Sequence, residues 1–270
     1  MVKTLFVSDL DGTLLRSDAT ISSYTADVIN QLTQRGILFS YATARSFVTA
    51  RKITEGLNAK IPVIVYNGAF IIDNATGEIL LSNYFTDEIR DVIKDLLALN
   101  ISLLVYAYID GTERFSFLPV SVSSGMRAFL DSRKGDPRWR EVSSVDELLQ
   151  GNIFYITCVD SKEKLEPLYE KYSETYRSLF QVEIYTKEYF LEIMPRTVSK
   201  ANAICQLKEK LGCDRVVSFG DAMNDLDMFG ISDEAYAVSN ACDELKHAAT
   251  DVIGSNDDDG VARWLKGRLN

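Results

Sequence analysis

Short, almost wholly apolar runs alternate with amphipathic stretches of helical length at both ends of the chain, and this alternation constrains the fold more than any other feature. Thr4 to Ser8 (TLFVS), Ile37 to Ala42 and Pro62 to Tyr66 (PVIVY) read as strands. They are too apolar for a sheet with one wet face and suit parallel strands buried on both sides. Between them, Ser22 to Arg35 repeats Ala26, Ile29 and Leu32 at helical spacing and meets Gly36 as a C-cap, and Phe47 to Leu57 has helical length. Strand, helix and strand with short connections predict an α/β, doubly wound, mostly parallel sheet. The pattern resumes at Ser199, with helices expected over 199–211, 222–229, 242–249 and 258–268 and strands over 215–219, 234–239 and 251–253.

Between these halves the rhythm changes. AFIIDNATGEILLSNYF reads as a hairpin around Asn74 to Gly77, and 101–109 with 113–118 as a strand pair turning at Asp110-Gly111. Helices are expected over 86–99, 121–131 and 161–175, a strand over 152–159, and a second hairpin where QVEIYT meets YFLEIM, residues 181–194. This is a mixed α+β section. The simplest organisation is one core domain, 1–83 with 190–270, interrupted by an inserted domain over 84–189.

Composition narrows the function by exclusion. With 39 acids against 29 Lys and Arg, the net charge is −10. No basic block offsets it, so nucleic acid and anionic membrane surfaces are poor partners. Cys158, Cys205, Cys213 and Cys242 form no CxxC pair, which fits reduced thiols. No run approaches a membrane span, and MVKTLFVSDLDG reaches acids too early for a signal peptide. The expected location is cytoplasmic. His247 is the only histidine, and its short helical context reads as structural. With its one imidazole read as structural, a Ser-His-Asp triad and a multi-histidine zinc site both have little to build on, so catalysis must rest on carboxylates, a lysine, hydroxyls or a metal.

Two acidic segments carry the chemistry. In SDLDGTLL, residues 8–15, Asp9 and Asp11 follow the first strand two positions apart, so an extended backbone turns both carboxylates to one side. They stand at the strand's C-terminal end, where open α/β sheets place ligands. In SFGDAMNDLDMFG, residues 218–230, Asp221 ends another buried strand and Asn224 and Asp225 open a helix. An Asp-Gly turn and an Asp221 N-cap account for part of this pattern. They leave the remaining acids idle. A parallel sheet that gathers Asp9, Asp11, Asp221 and Asp225 at one edge makes an oxygen-rich Mg²⁺ site.

DLDGTLL, the Thr in YATARS, the Lys in VSKANA and GDAMNDLDM stand in the order and spacing of the haloacid dehalogenase-like phosphohydrolases, and the chain resembles that family over essentially its whole length. The middle section looks like the large cap of the Cof-type subgroup, subclass IIB, a substrate-specificity domain set into a Rossmann-like core. The resemblance implies Mg²⁺-dependent phosphoryl transfer through an aspartyl-phosphate, with Asp9 the nucleophile and Asp11 the general acid and base. It implies Mg²⁺ held by Asp9, the Asp11 carbonyl and Asp221, with Asp225 a further ligand or support. Thr43 matches the hydroxyl that holds a phosphate oxygen, and Lys200 the cation that offsets charge. The adjoining Leu10, Ala44 and Arg45, together with Asn67, Gly68 and Asn224, fall in segments that the resemblance assigns to substrate or phosphate. The common TGR reads Thr43-Ala44-Arg45 here and the common GDG reads Gly220-Asp221-Ala222, so each loop has lost a glycine but no reacting group.

The resemblance leaves a phosphatase for small phosphorylated metabolites, sugar phosphates or related monoesters, beside a phosphomutase and a non-catalytic protein that only binds a phosphorylated ligand. The inserted section is quieter. Its aromatics, including Tyr106, Tyr108, Phe115, Phe117, Trp139, Phe154 and Tyr155, read as core, and Arg114, Arg127, Arg133, Arg138 and Arg140 as a solvated face or contacts to a polar substrate end. A large cap already covers such a site, so a monomer is the default.

Overall fold

The computed structural model describes residues 2–57, 60–182 and 188–269. The chain opens with β1 (Thr4–Ser8), α1 (Ser23–Gln34), β2 (Leu38–Tyr41), α2 (Phe47–Ile53), β3 (Pro62–Val65), β4 (Phe70–Asp73) and β5 (Ile79–Ser82). It continues through α3 (Ile89–Ala98), β6 (Leu103–Ile109), β7 (Thr112–Phe117), α4 (Ser124–Asp131), β8 (Trp139–Glu141), α5 (Val145–Leu148), β9 (Asn152–Asp160), α6 (Lys162–Ser173), β10 (Arg177–Val182) and β11 (Tyr189–Met194). It ends with α7 (Lys200–Leu211), β12 (Arg215–Gly220), α8 (Leu226–Gly230), β13 (Glu234–Val238), α9 (Asp243–Ala248), β14 (Asp251–Ile253) and α10 (Gly260–Leu269).

Two compact units result, one of residues 1–82 with 198–270 and one of residues 83–197. The second crossing thus falls later than the expected 189/190, because β11 pairs with both β9 and β10 and stays with the inserted unit. In the first unit a parallel sheet runs in the order β14-β13-β12-β1-β2, so β1 sits between a strand from each half of the chain. The expected third parallel strand is only partly so. Past the end of β2 a single parallel bridge joins Ala42 to Ile64, but β3 pairs antiparallel with β4 along its length. The cause is a left-handed turn at Tyr66–Gly68 (φ +51°, +54° and +101°), which reverses the chain at once.

Sequence chemistry sets these elements locally. Ser22, Ser46 and Ser199 cap α1, α2 and α7 by accepting the N–H groups of Thr25, Thr49 and Asn202. Gly212, at φ +62°, closes α7. From α10, Trp264 packs on Phe6, Phe219 and Tyr236 with ring centroids 6.4, 5.1 and 4.5 Å away. Rings buried this way stabilise by about 1.5–3 kcal/mol each, and these lock α10 to the three central strands.

The inserted unit carries one sheet, β10-β11-β9-β6-β7-β8, antiparallel except where β8 runs parallel to β7. Asp110 and Gly111 both take positive φ in the β6–β7 turn, the conformation that makes Asp-Gly a hairpin signal. Ile89, Ile93 and Leu96 of α3 and Leu165 and Leu168 of α6 pack against Ile153, Ile156 and Cys158. The expected second hairpin starts earlier than its sequence signal. Its first strand is β10, and residues 183–186 of the expected one lie outside the described residues. Among the aromatics, Tyr106, Phe115, Phe117, Phe154 and Tyr155 are buried. Arg138 departs from the solvated face, because it is buried between Glu113 (2.9 Å) and Asp136 (2.6 Å). No described helix is long and apolar enough to cross a membrane.

Ile156 is fully buried at the centre of the inserted unit. Truncation at such a site costs about 2–5 kcal/mol. In a Trp264→Phe background, where Trp139 is the remaining tryptophan and can be excited selectively, Ile156→Ala should therefore lower the urea midpoint. An unmoved midpoint would mean that the core of this unit lies elsewhere.

Candidate active site

The site is assembled where β1 and β12 end side by side. The Asp9 N–H donates to the Phe219 carbonyl at 2.9 Å, extending the ladder by one residue and holding Asp9 at the sheet's edge. The next five residues, Leu10–Leu14, form one wide turn closed by the Leu15 N–H on the Leu10 carbonyl at 2.8 Å. Inside it Gly12 takes φ +79°, and a Cβ there would lie 2.4 Å from Asp221 Oδ2. Only glycine lets the two acidic segments approach this closely. Thr13 Oγ1 then donates to Asp221 Oδ1 at 2.8 Å, and Asn240 Nδ2 donates to the Gly12 carbonyl at 2.7 Å.

Asp9, Asp221 and Asp225 each present one oxygen within 4.8 Å of the others. Lys200, 3% exposed, comes from the first turn of α7 and donates through Nζ to Asp9 Oδ1 and, at 2.7 Å, to Asp225 Oδ1. The other Asp225 oxygen accepts the N–H groups of Asp221 (3.1 Å) and Ala222 (3.2 Å). Burial pushes the Asp9 carboxyl up to about 8, with Lys200 opposing and Asp225 adding to the rise. Burial likewise raises Asp221, against the Thr13 hydrogen bond and with the charge of Asp225. For Lys200, burial works to lower the ammonium's pKa, but Asp9 and Asp225 outweigh it and hold it above the ordinary lysine value. The three carboxyl groups of the cluster share one ammonium, too little positive charge to hold all three ionised against burial, which is why Asp9 and Asp221 are raised. The cluster's donors are all carboxylate oxygens, the set preferred by a hard divalent cation rather than by zinc or copper.

Asp11 does not join this cluster with its side chain. Its carboxylate is half exposed and is gripped by Arg45, Nε to Oδ2 at 2.8 Å and Nη2 to Oδ1 at 2.6 Å. Such a planar two-bond pair fixes the carboxylate's direction as well as its charge. Thr43 is buried, and its Oγ1 accepts the Arg45 N–H at 3.1 Å. Its own hydroxyl proton is therefore left to donate. The Leu10 side chain is fully buried in the core, so only its main chain is offered to the site. Ala44 and Asn224 are exposed, whereas Asn67 and Gly68 are buried. His247 is exposed and bonds through Nδ1 to the Asp243 carbonyl in its own helix.

Thr13 and Asn240 are the contributors that sequence reasoning passed over. Thr13 stands inside DLDGTLL, and its partner was readable only once Asp221 had been placed opposite. Asn240 lies in a loop with no motif of its own.

A family model of haloacid dehalogenase-like hydrolases matches residues 6–265. The chain is 29% identical to a 5-amino-6-(5-phospho-D-ribitylamino)uracil phosphatase of Bacillus subtilis, over 95% of each protein. A solved haloacid dehalogenase-like hydrolase from Bacteroides thetaiotaomicron matches at 25% identity with a TM-score of 0.77, over 99% of both chains. The fold is also that of a subclass IIB sugar phosphatase, with a TM-score of 0.72 over 98% of each chain at 18% identity. Motif order, the meeting of Asp9, Lys200, Asp221 and Asp225, and a match of nearly full length agree, and the chain belongs to the haloacid dehalogenase-like hydrolases.

Proposed function

We propose that this chain is a Mg²⁺-dependent phosphatase that hydrolyses small phosphorylated metabolites, sugar phosphates or related monoesters, through an aspartyl-phosphate formed on Asp9. The observation that carries this reading is a buried carboxylate at a sheet edge that shares its ammonium partner with Asp225, stands beside Asp221 and is followed two residues later by a second, more exposed acid. The ribityl monoester in the name of the Bacillus subtilis relative supports a polyol or sugar phosphate as the substrate class.

Asp9, Asp221 and the main-chain carbonyl of Asp11 would hold the ion. Bound there, Mg²⁺ supplies the charge that lets an anionic nucleophile approach an anionic phosphate. The engagement of both Asp225 oxygens supports a different role for that residue, which is to hold Lys200 and the Asp221 loop in place.

In the first step an Asp9 oxygen forms a bond to phosphorus as the bond to the ester oxygen breaks, and Asp11 gives its proton to the departing alkoxide. In the second, the Asp11 carboxylate takes a proton from water, whose oxygen bonds to phosphorus and expels Asp9 as a carboxylate. Lys200 and the Thr43 hydroxyl offset charge on the transferring oxygens. Arg45 holds both Asp11 oxygens, so proton transfer requires it to yield at least one of them.

Asp9→Asn should cut phosphate release by about a thousandfold or more while circular dichroism stays at the parent's level. Turnover at the parental rate would sink the mechanism. Chelation should abolish activity and Mg²⁺ restore it. Asp221→Asn should raise the Mg²⁺ concentration for half-activity by about 10–100-fold. Asp225→Asn should instead depress kcat with a smaller change in that concentration, and equal shifts for the two variants would make Asp225 a ligand. Arg45→Ala should impair alkyl phosphates more than p-nitrophenyl phosphate, whose leaving group needs no proton. Equal loss on both esters would assign Arg45 to the phosphate instead of Asp11.

A further inference from the structure

Tyr66, Asn67 and Gly68 form three consecutive residues with positive φ, a backbone that tyrosine disfavours and that asparagine, though it tolerates it better than other side chains, adopts as a single residue and not in a run. Their surroundings must therefore hold them. On one side, the Tyr66 N–H donates to the Arg45 carbonyl and the Asn67 N–H to the Thr43 carbonyl, both at 2.9 Å. The same segment is tied again by the Thr43 N–H on the Ile64 carbonyl at 3.0 Å. On the other side Gly68 lies flat against the start of α7, where a Cβ would stand 2.3 Å from the Ser199 carbonyl oxygen and 2.7 Å from its carbon. That carbonyl accepts the Ala203 N–H, the first bond of the helix, and the residue after Ser199 is Lys200.

We infer that residues 66–68 act as a positioning bracket, whose main chain sets the spacing between Thr43 and Arg45 on one side and Lys200 on the other. The inference rests on the phosphatase reading for the roles of those three residues. It gives Asn67 and Gly68, which the sequence placed at the substrate, a role carried by backbone shape. The Tyr66 and Asn67 N–H groups are spent on main-chain carbonyls, and Gly68 has no side chain to give. A Cβ at Gly68 must push Ser199 away, loosen the first turn of α7 and move the ammonium off Asp9 and Asp225. Displacements of this size at a reacting centre cost about 100-fold in rate.

The test compares three variants of the full-length protein by kcat and KM on p-nitrophenyl phosphate with Mg²⁺, and by calorimetric titration with inorganic phosphate. Gly68→Ala should lower kcat by about 100-fold and weaken phosphate binding. A folded Gly68→Ala protein with parental kcat and phosphate affinity would overturn the inference. If Gly68→Ala does not fold, the pair at Asn67 decides. Both Asn67→Gly and Asn67→Ala remove the amide, but only glycine takes positive φ freely. A backbone role therefore makes the Ala variant about five- to thirtyfold worse than the Gly variant in kcat/KM, and worse in phosphate affinity. Equal losses would assign the amide to substrate contact, and two parental variants would show that the bend is idle; either result overturns the inference. An inactive parent would count against the phosphatase reading alone, and phosphate titration of the same variants would still decide the bracket.

Discussion

The buried ammonium of Lys200, shared between Asp9 and Asp225, is the interaction on which the site depends. Burying a carboxylate without a partner is prohibitive, and removing one member of a buried pair costs about 3–5 kcal/mol. Asp9 can therefore be desolvated only where a cation arrives from another part of the chain, and even beside Lys200 burial leaves its carboxyl raised. That cation is carried at the N-terminal end of α7, a place the helix dipole makes unfavourable for it. The two carboxylates outweigh the dipole, and Asp225 is in turn fixed by the N–H groups of Asp221 and Ala222. Charge balance and loop geometry thus hold each other in place.

Close approach is the second constraint. Gly12 lies against the Asp221 carboxylate, Gly220 against Asp225 and Gly68 against the Ser199 carbonyl, and each would meet these atoms at under 3 Å if it carried a Cβ. The substitutions that distinguish this chain, Ala44 and Ala222, fall elsewhere. Ala222 has an extended backbone, φ −127°, and needs no glycine. Ala44 is exposed. At Gly12, Gly68 and Gly220 the missing side chain makes room for a group of the site or for the main chain that carries one.

Much of the catalytic unit was legible in the sequence because its signals are local. Apolar runs marked β1, β2, β12 and β13, serine caps marked the helix starts, and paired acids marked the strand ends that became the site. What escaped depends on partners distant in the chain. The bend that turns β3 back onto β4 holds Asn67-Gly68, a hairpin pair that sequence reasoning took for a functional segment instead, and the pairing of Asp11 with Arg45 joins residues that sequence reasoning had placed in separate roles. In the inserted unit, β8 is three residues long and α5 four, too short to show a period. Arg138 looked like one surface arginine among five. It is buried between the nearby Asp136 and Glu113, a partner twenty-five residues earlier.

The strand order also bears on how the protein is made. β1 lies between β2 and β12, and its register partners run from Leu38–Tyr41 on one side to Arg215–Phe219 on the other. During synthesis the first strand leaves the ribosome long before its second neighbour exists, whereas the inserted unit is continuous in sequence and can close on its own contacts. Asp9 therefore spends most of translation in water, as an ordinary carboxylate on an unfinished sheet edge. Its burial, its ammonium partner and the neighbouring Asp221 all come from the last third of the chain. Nascent chains that stall before α7 consequently carry Asp9 without Lys200, Asp221 or Asp225, the three groups that surround it in the finished fold.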